Sequence, residues 1–127
     1  MRAVIIDDCE PVRALLRIVL DRLGYEVELA GDGLEGLERL RGLGAVDLVL
    51  VDWHMPNMDG IEFLRTVRAE RSFDAVRLVM VTSESDASAE ARARAAGADA
   101  FVTKPFTMEK LTAAMTTVGA ARWPIAS

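Results

Sequence analysis

Two uninterrupted apolar runs, 3–6 and 48–51, stand out in the pattern of hydrophobic and polar positions along the chain. Neither run alternates with polar residues, which is typical of strands buried on both faces of a parallel sheet. Three further segments, one of them partly alternating with glutamates, complete the pattern. The predicted strands are 3–6, 25–30, 48–51, 76–81 and 99–103.

Hydrophobic residues at helical spacing fill the segments that follow these strands. In the first of them, Pro11 suits the opening turn of a helix and Gly24 ends it. A shorter second helix follows, a third begins at Gly60, and a fourth spans 87–96 with a thin, alanine-rich apolar face. Thr107 is the predicted N-cap of the fifth. The apolar residues of the first, second, third and fifth helices are Val12, Leu15, Leu16, Val19, Leu20 and Leu23; Leu34, Leu37 and Leu40; Ile61, Leu64 and Val67; and Met108, Leu111, Met115 and Val118.

Five strands that alternate with five helices predict an α/β fold, namely a doubly wound parallel sheet with right-handed crossovers. At 127 residues the chain is long enough for one domain with a substantial core. We expect this domain to span 2–118 and a loose C-terminal tail to follow over 119–127.

The net charge limits which partners are expected, and the cysteine content limits which cellular compartment is expected. The chain has 20 acidic residues against 15 Lys and Arg, a net charge of −5. This balance argues against nucleic acid or an anionic membrane as a partner, because both favour a basic face. The single Cys9 cannot form an internal disulfide, and no apolar run has the length of a membrane span or the form of a signal peptide. We therefore expect a cytoplasmic protein.

Polar residues end four of the five predicted strands. Asp7 and Asp8 follow the first strand, Asp52 the third, Thr82 the fourth and Lys104 the fifth. Because the carboxyl ends of parallel strands meet at one edge of the sheet, the three carboxylates converge if the first and third strands are neighbours. Carboxylates this close either raise each other's pKa or recruit a cation. If a cation is recruited, a few hard oxygen ligands with room for water suit Mg²⁺.

Such a Mg²⁺ site normally accompanies a phosphoryl group. The pattern therefore predicts an acyl phosphate on one of the aspartates, with Mg²⁺ and Lys104 neutralising its charge and the Thr82 hydroxyl holding an oxygen. The alternative for Asp52 is that it merely caps a turn, as many loop aspartates do.

Four sequence blocks together resemble the receiver domain of two-component response regulators, in particular its stand-alone, CheY-like members. The similarity covers residues 2 to about 118, and it implies a flavodoxin-like sheet with strand order 2-1-3-4-5. The blocks are Asp7-Asp8, Asp52-Trp53-His54-Met55-Pro56-Asn57-Met58-Asp59-Gly60, Thr82-Ser83-Glu84, and Gly97-Ala98-Asp99-Ala100-Phe101-Val102-Thr103-Lys104-Pro105-Phe106.

The resemblance implies that Asp52 accepts the phosphoryl group from a phosphohistidine on a partner, either a sensor histidine kinase or a histidine phosphotransfer protein. It implies that Asp8 and Asp52 bind Mg²⁺ directly with the backbone carbonyl of His54, while Asp7 acts largely through water. The chain would thus be a switch that catalyses its own phosphoryl transfer and slow autodephosphorylation, not an enzyme with a separate substrate.

The resemblance also implies a conformational switch. Thr82 would hydrogen-bond a phosphoryl oxygen and move towards it, Lys104 would pair with another oxygen, and Phe101 would turn inward as Thr82 moves. The Lys104-Pro105 peptide bond is expected to be cis. No DNA-binding or enzymatic segment follows residue 118, so the expected output is binding to a downstream protein, in chemotaxis or another pathway. We also expect the protein to be a monomer.

Several polar residues keep two interpretations. His54, two residues beyond Asp52, either affects the lifetime of the phosphoryl group or is an exposed loop residue that contributes only its carbonyl. Glu84, two residues beyond Thr82, either affects that lifetime or is a solvated charge. Arg13 and Arg17 either help to dock a kinase or do not. Cys9 is expected to be a small, semi-buried filler.

Two other classes of function fit the residues less well. A phosphohydrolase of the haloacid dehalogenase type uses Asp-x-Asp, but the position of its second acid is occupied here by His54. A flavodoxin-like cofactor carrier needs a phosphate loop rich in Ser, Thr and Gly after the first strand, where Asp7 and Asp8 would instead repel a phosphate.

Overall fold

The computed structural model of the protein describes residues 1–119. Its five strands form one parallel sheet in the order β2-β1-β3-β4-β5, which confirms the predicted doubly wound topology. The strands are β1 (Arg2–Ile6), β2 (Glu26–Ala30), β3 (Leu48–Val51), β4 (Arg77–Thr82) and β5 (Ala100–Thr103). Each therefore lies within one residue of its predicted bounds.

The five helices divide between the two faces of this sheet. Helices α1 and α5 cover one face, and α2, α3 and α4 cover the other, so that two separate apolar layers enclose the strands. Successive strand residues contribute to opposite layers, as the period of two requires. The helices are α1 (Glu10–Arg22), α2 (Gly33–Leu43), α3 (Gly60–Ala69), α4 (Ala87–Ala96) and α5 (Met108–Thr117).

Helix ends follow the predicted signals. Pro11 lies in the first turn of α1, and the Thr107 hydroxyl caps α5 by accepting a hydrogen bond from the Lys110 N–H at 3.1 Å. A short 3-10 turn, Arg71–Phe73, was not predicted, because three residues carry no detectable period.

The helical apolar pattern predicts the buried face only in part. Leu15, Leu34 and Met108 belong to the pattern, yet they are exposed, as is Ile18. These positions lie at the margins of the apolar stripes, where periodicity does not reveal how far the neighbouring strand extends. In α4 only Ala89, Ala93 and Ala96 are buried, which agrees with the thin apolar face predicted for it.

Within residues 1–119, none of the helices has both the length and the apolar character needed to cross a membrane. The predicted tail over 119–127 falls, apart from Gly119, outside the described residues.

Candidate functional site

Three carboxylates meet at the carboxyl ends of β1 and β3. Asp7 and Asp8 follow β1 directly, Asp52 follows β3, and one oxygen from each of them lies within 4.8 Å of the others. The pairing of β1 with β3 brings them together, because Ile6 is in register with Val51 and the Asp52 N–H donates to the Ile6 carbonyl at 2.9 Å. The convergence expected from the strand ends is therefore present.

Asp7 is the most enclosed of the three, with 1% of its surface exposed. One carboxylate oxygen accepts a hydrogen bond from the Cys9 N–H at 2.8 Å, which closes a tight turn before α1. The other oxygen contacts the Lys104 ammonium at 2.8 Å. Because both of its carboxylate oxygens already have hydrogen-bond partners, Asp7 is placed to support a metal site from the buried side.

The Asp52 carboxylate also contacts one backbone N–H and the Lys104 ammonium, but it is more exposed than that of Asp7. Its Oδ1 accepts a hydrogen bond from the Trp53 N–H at 2.7 Å, and its Oδ2 lies 3.2 Å from Lys104 Nζ. Its side chain is 13% exposed. Asp8, by contrast, is exposed, and among residues 1–119 its carboxylate has no hydrogen-bond partner. Cys9 is exposed as well, so the expectation of a semi-buried filler was wrong.

Lys104 is the cation that holds this arrangement together. Its ammonium bridges Asp7 and Asp52, and its backbone N–H donates to the Thr82 carbonyl at 2.7 Å. Burial opposes the charge, but the hydrogen bond to Asp7 and the negative charge of Asp52 outweigh it and raise the pKa of Lys104 above its usual value. The Lys104-Pro105 peptide bond is cis, as predicted.

The turn between β3 and α3 is built around a close backbone approach. A Cβ atom at Gly60 would overlap the Asp52 carbonyl oxygen, and the Gly60 N–H donates to the Trp53 carbonyl at 2.7 Å. Asp59 caps α3 by accepting from the Glu62 N–H, and Asn57 adopts a positive φ of 68°. Geometry thus explains Asp59 and Gly60 at the end of the 52–60 sequence block: Asp59 caps α3, and Gly60 allows the close backbone approach.

Thr82 lies at the end of β4, the strand next to β3, and Phe101 lies on β5, the strand next to β4. Thr82 is fully buried, and its hydroxyl accepts a hydrogen bond from the Glu84 N–H at 3.3 Å. Phe101 is half-buried against the core layer that includes α4, and a cavity of about 300 Å³ between β5 and α5 opens beside it. Within residues 1–119, no hydrogen bond joins the Thr82 hydroxyl to Asp7, Asp8 or Asp52.

Two contacts across the site were not predicted. His54 Nε2 lies 2.7 Å from Glu84 Oε1, so the two candidates for phosphoryl lifetime form a pair between the loops that follow β3 and β4. The guanidinium of Arg92 lies 5.0 Å from the centre of the Trp53 ring, which also stacks on His54. Nothing in the sequence links Arg92 to Trp53, so this contact has no local signal that could predict it.

The donor set fits Mg²⁺. Three carboxylates offer hard oxygen ligands, and the partner-free Asp8 at the solvent side leaves room for the waters that Mg²⁺ retains. With Lys104 counted, the group still carries two net negative charges, so a divalent cation would neutralise it.

Fold and site together define the class of protein: a flavodoxin-like α/β domain with an acidic pocket at the point where the strand order reverses. A family model of the response regulator receiver domain matches residues 3–116. The chain belongs to this family, and it is a CheY-like receiver domain of two-component signalling.

Known relatives agree with this assignment. The chemotaxis protein CheY1 of Helicobacter pylori is 31% identical over 112 residues, which cover 87% of this chain and 90% of the relative. Chemotaxis protein CheY4 of Vibrio cholerae superposes with a TM-score of 0.84 at 31% identity, over 92% of this chain and 97% of that structure. The BeF3-activated DrrB receiver domain superposes with a TM-score of 0.78 at 26% identity, over 92% and 95%.

Receiver domains bind Mg²⁺ at an acidic pocket, and the CheY-like ones take phosphoryl groups from histidine kinases and act on downstream targets.

Proposed function

We propose that this chain is a single-domain response regulator in which Asp52 accepts a phosphoryl group from a phosphohistidine on a partner protein. The observation that carries the proposal is the position of Asp52. Its side chain is 13% exposed, compared with 1% for that of Asp7, with which it shares the contact to Lys104, and it follows the central strand directly. We take residues 2–118 as the signalling unit, with the remaining residues as a tail.

In the proposed transfer, a carboxylate oxygen of Asp52 attacks phosphorus and the P–N bond breaks. The bonding pair stays on that ring nitrogen, and the phosphohistidine leaves as neutral imidazole because its other ring nitrogen carries a proton. Lys104, already 3.2 Å from that carboxylate, would exchange this contact for one with a phosphoryl oxygen. Asp8 and Asp52 would hold Mg²⁺ with the backbone carbonyl of His54, and Asp7 would act through water. The bound metal would supply positive charge where the phosphoryl oxygens gather negative charge.

The switch would begin at Thr82. Its hydroxyl accepts a 3.3 Å hydrogen bond from the Glu84 N–H, and it can donate its own proton to a phosphoryl oxygen. As Thr82 turns towards the phosphoryl group it would vacate space into which Phe101, half-buried on the next strand, can turn. The surface of α4, β5 and α5 would change shape with it and so alter the affinity for a downstream protein.

A second role, control of phosphoryl lifetime, is favoured by the His54–Glu84 pair. The pair spans the loops beside Asp52, so it would limit the approach of water to the phosphoryl group. We expect both His54→Ala and Glu84→Ala to speed autodephosphorylation, with the double variant no faster than either single one. Rates that add independently would show that the pair does not act as a unit.

The acceptor assignment is tested with a small acyl phosphate as donor. Intact mass should show one added phosphoryl group in the presence of Mg²⁺ and none in EDTA, and Asp52→Asn should remain unmodified. Labelling of Asp52→Asn, or equal labelling in EDTA, would refute the assignment. Multiple turnover on simple phosphate esters would favour a phosphohydrolase instead.

A further inference from the structure

Arg13 makes a contact that its position on α1 does not explain. Its side chain is half-buried, and the guanidinium donates a hydrogen bond to the backbone carbonyl of Asp7 at 2.7 Å. This is a reach of six residues back along the chain, from the first turns of α1 to the end of β1. Gly31 lies beside it, at a position where a Cβ atom would be 3.7 Å from Arg13 Nη1, an ordinary van der Waals distance.

The hydrogen bonds of the sheet end just before the carbonyl of Asp7, the residue that follows β1. The pairing of β1 with β3 ends at Ile6, whose carbonyl accepts from the Asp52 N–H, and the Asp7 N–H still donates to Ala30 at 3.1 Å. The next carbonyl, that of Asp7, has no strand partner and is bound by Arg13 instead. It belongs to the peptide that joins Asp7 to Asp8, so its orientation sets the direction in which Asp8 leaves the backbone.

Asp8 depends on this backbone anchor more than Asp7 or Asp52 does. Asp7 and Asp52 are each held through their own side chains by a backbone N–H and by Lys104. The carboxylate of Asp8 has no such partner among residues 1–119, yet it lies within 4.8 Å of the other two. We infer that Arg13 is a positioning residue, which aims Asp8 at the metal pocket by fixing the Asp7–Asp8 peptide.

This inference rests on the proposed Mg²⁺ site, and it makes a prediction opposite in sign to simple electrostatics. Removing a positive charge near three carboxylates would by itself strengthen cation binding. Removing an anchor that orients a ligand weakens it, and groups that orient metal ligands typically contribute about tenfold or more in affinity. The direction of the change in Mg²⁺ affinity therefore separates the two roles.

The test is calorimetric titration of Mg²⁺ into Arg13→Met, which keeps an apolar stem without a donor. We expect its Kd to rise about tenfold. Arg17 lies one turn along the same helix, and within residues 1–119 it pairs only with Asp21 at the surface of the helix. Arg17→Met removes the same charge and should leave the Kd close to the wild-type value. Arg13→Lys, which keeps the charge and a donor, should recover most of the affinity. Arg13→Gln replaces Arg13→Met if the latter does not fold.

A purely structural role for Arg13 would lower the melting temperature of the metal-free protein without moving the Kd. Coupling to Asp8 gives the sharper readout: in an Asp8→Asn background, Arg13→Met should change the Kd by less than about twofold, because the ligand it orients has gone. Unchanged or tighter binding by Arg13→Met would overturn this inference alone. A wild-type protein that binds no Mg²⁺ would overturn the proposed function and this inference with it.

Discussion

At the scale of one residue, Lys104 stabilises the pocket before any ligand binds, because its ammonium offsets the negative charge of the carboxylates. It bridges Asp7 and Asp52, and among residues 1–119 no other cation lies within ion-pair distance of either carboxylate. Sequence reasoning assigned Lys104 to the phosphoryl group alone. Its contact with both carboxylates depends on distances between loops, which sequence does not contain.

Lys104→Met should therefore destabilise the metal-free protein and enlarge the effect of Mg²⁺. Removing one partner of a largely buried ion pair typically costs about 3 kcal/mol, since the remaining charges are left uncompensated. Mg²⁺ should then recover more stability in the variant than in wild type. Urea unfolding with and without Mg²⁺ measures both effects, with the exposed Lys110→Met as control. Equal responses of all three proteins would contradict the role given to Lys104.

A second residue, Tyr25, controls stability at alkaline pH. Burial, with a smaller effect from the charge of Asp47, raises the pKa of Tyr25 to about 12, compared with 10.0 for an unperturbed tyrosine. Its folded-state pKa is the higher one, so its contribution to stability is complete below about pH 10 and is lost as the pH rises towards about 12.

We expect the unfolding free energy of the wild type to fall more steeply than that of Tyr25→Phe across this range. Because Tyr25 is the only tyrosine, its phenolate absorbance reports the same titration directly. Parallel pH profiles for the two proteins, or a phenolate midpoint near 10, would contradict the assigned shift.

At the scale of elements, the turn between β3 and α3 depends on Gly60. Besides the Asp52 carbonyl, an added Cβ atom would meet Met80 Cε at 2.8 Å. The backbone contact has no flexible end that can move away. Gly42 in α2 is a matched contrast, because a Cβ atom there has nothing within 4 Å.

Gly60→Ala should lose about 2 kcal/mol of stability, as overpacked sites do, and it should phosphorylate more slowly because Asp52 is displaced. Gly42→Ala should instead gain up to about 1 kcal/mol, because alanine is the better helix former. Chemical denaturation of both variants gives the comparison. If Gly60→Ala were as stable as Gly42→Ala, the close approach at Asp52 would not constrain the turn.

At the scale of the whole molecule, sequence predicts elements better than contacts. Strand and helix bounds follow local periodicity and caps, so they could be assigned within a residue or two. The strand order came from the family resemblance, since periodicity does not say which parallel strands are neighbours. The His54–Glu84 and Arg13–Asp7 contacts join different elements, and no local signal predicts either of them.

Mg²⁺ should stabilise the whole fold, because it binds the assembled pocket and not the unfolded chain. At tenfold over its Kd a ligand of this kind adds about 1.4 kcal/mol. Asp8→Asn should melt higher than wild type without metal, since Asp8 contributes repulsion and no ion pair, and its gain from Mg²⁺ should shrink. Asp52 is a less clean test, because it also pairs with Lys104.

Thermal scans with Mg²⁺, and with Na⁺ at matched ionic strength, provide the comparison. Asp74→Asn, an exposed acid remote from the pocket, is the control for loss of charge. If Asp8→Asn melted lower than wild type without metal and gained as much from Mg²⁺, the three carboxylates would not share one site.

The most direct measurement for the central claim is chemical trapping of the acyl phosphate. Borohydride reduces an acyl phosphate to an alcohol, so an aspartyl phosphate becomes homoserine at the modified position. After treatment with a small phosphodonor and Mg²⁺, peptide mass mapping should find homoserine at position 52, and Asp7 and Asp8 should remain aspartate. Homoserine at position 7 or 8, or none anywhere despite a phosphorylated protein, would contradict the assignment of Asp52 as the phosphoryl acceptor.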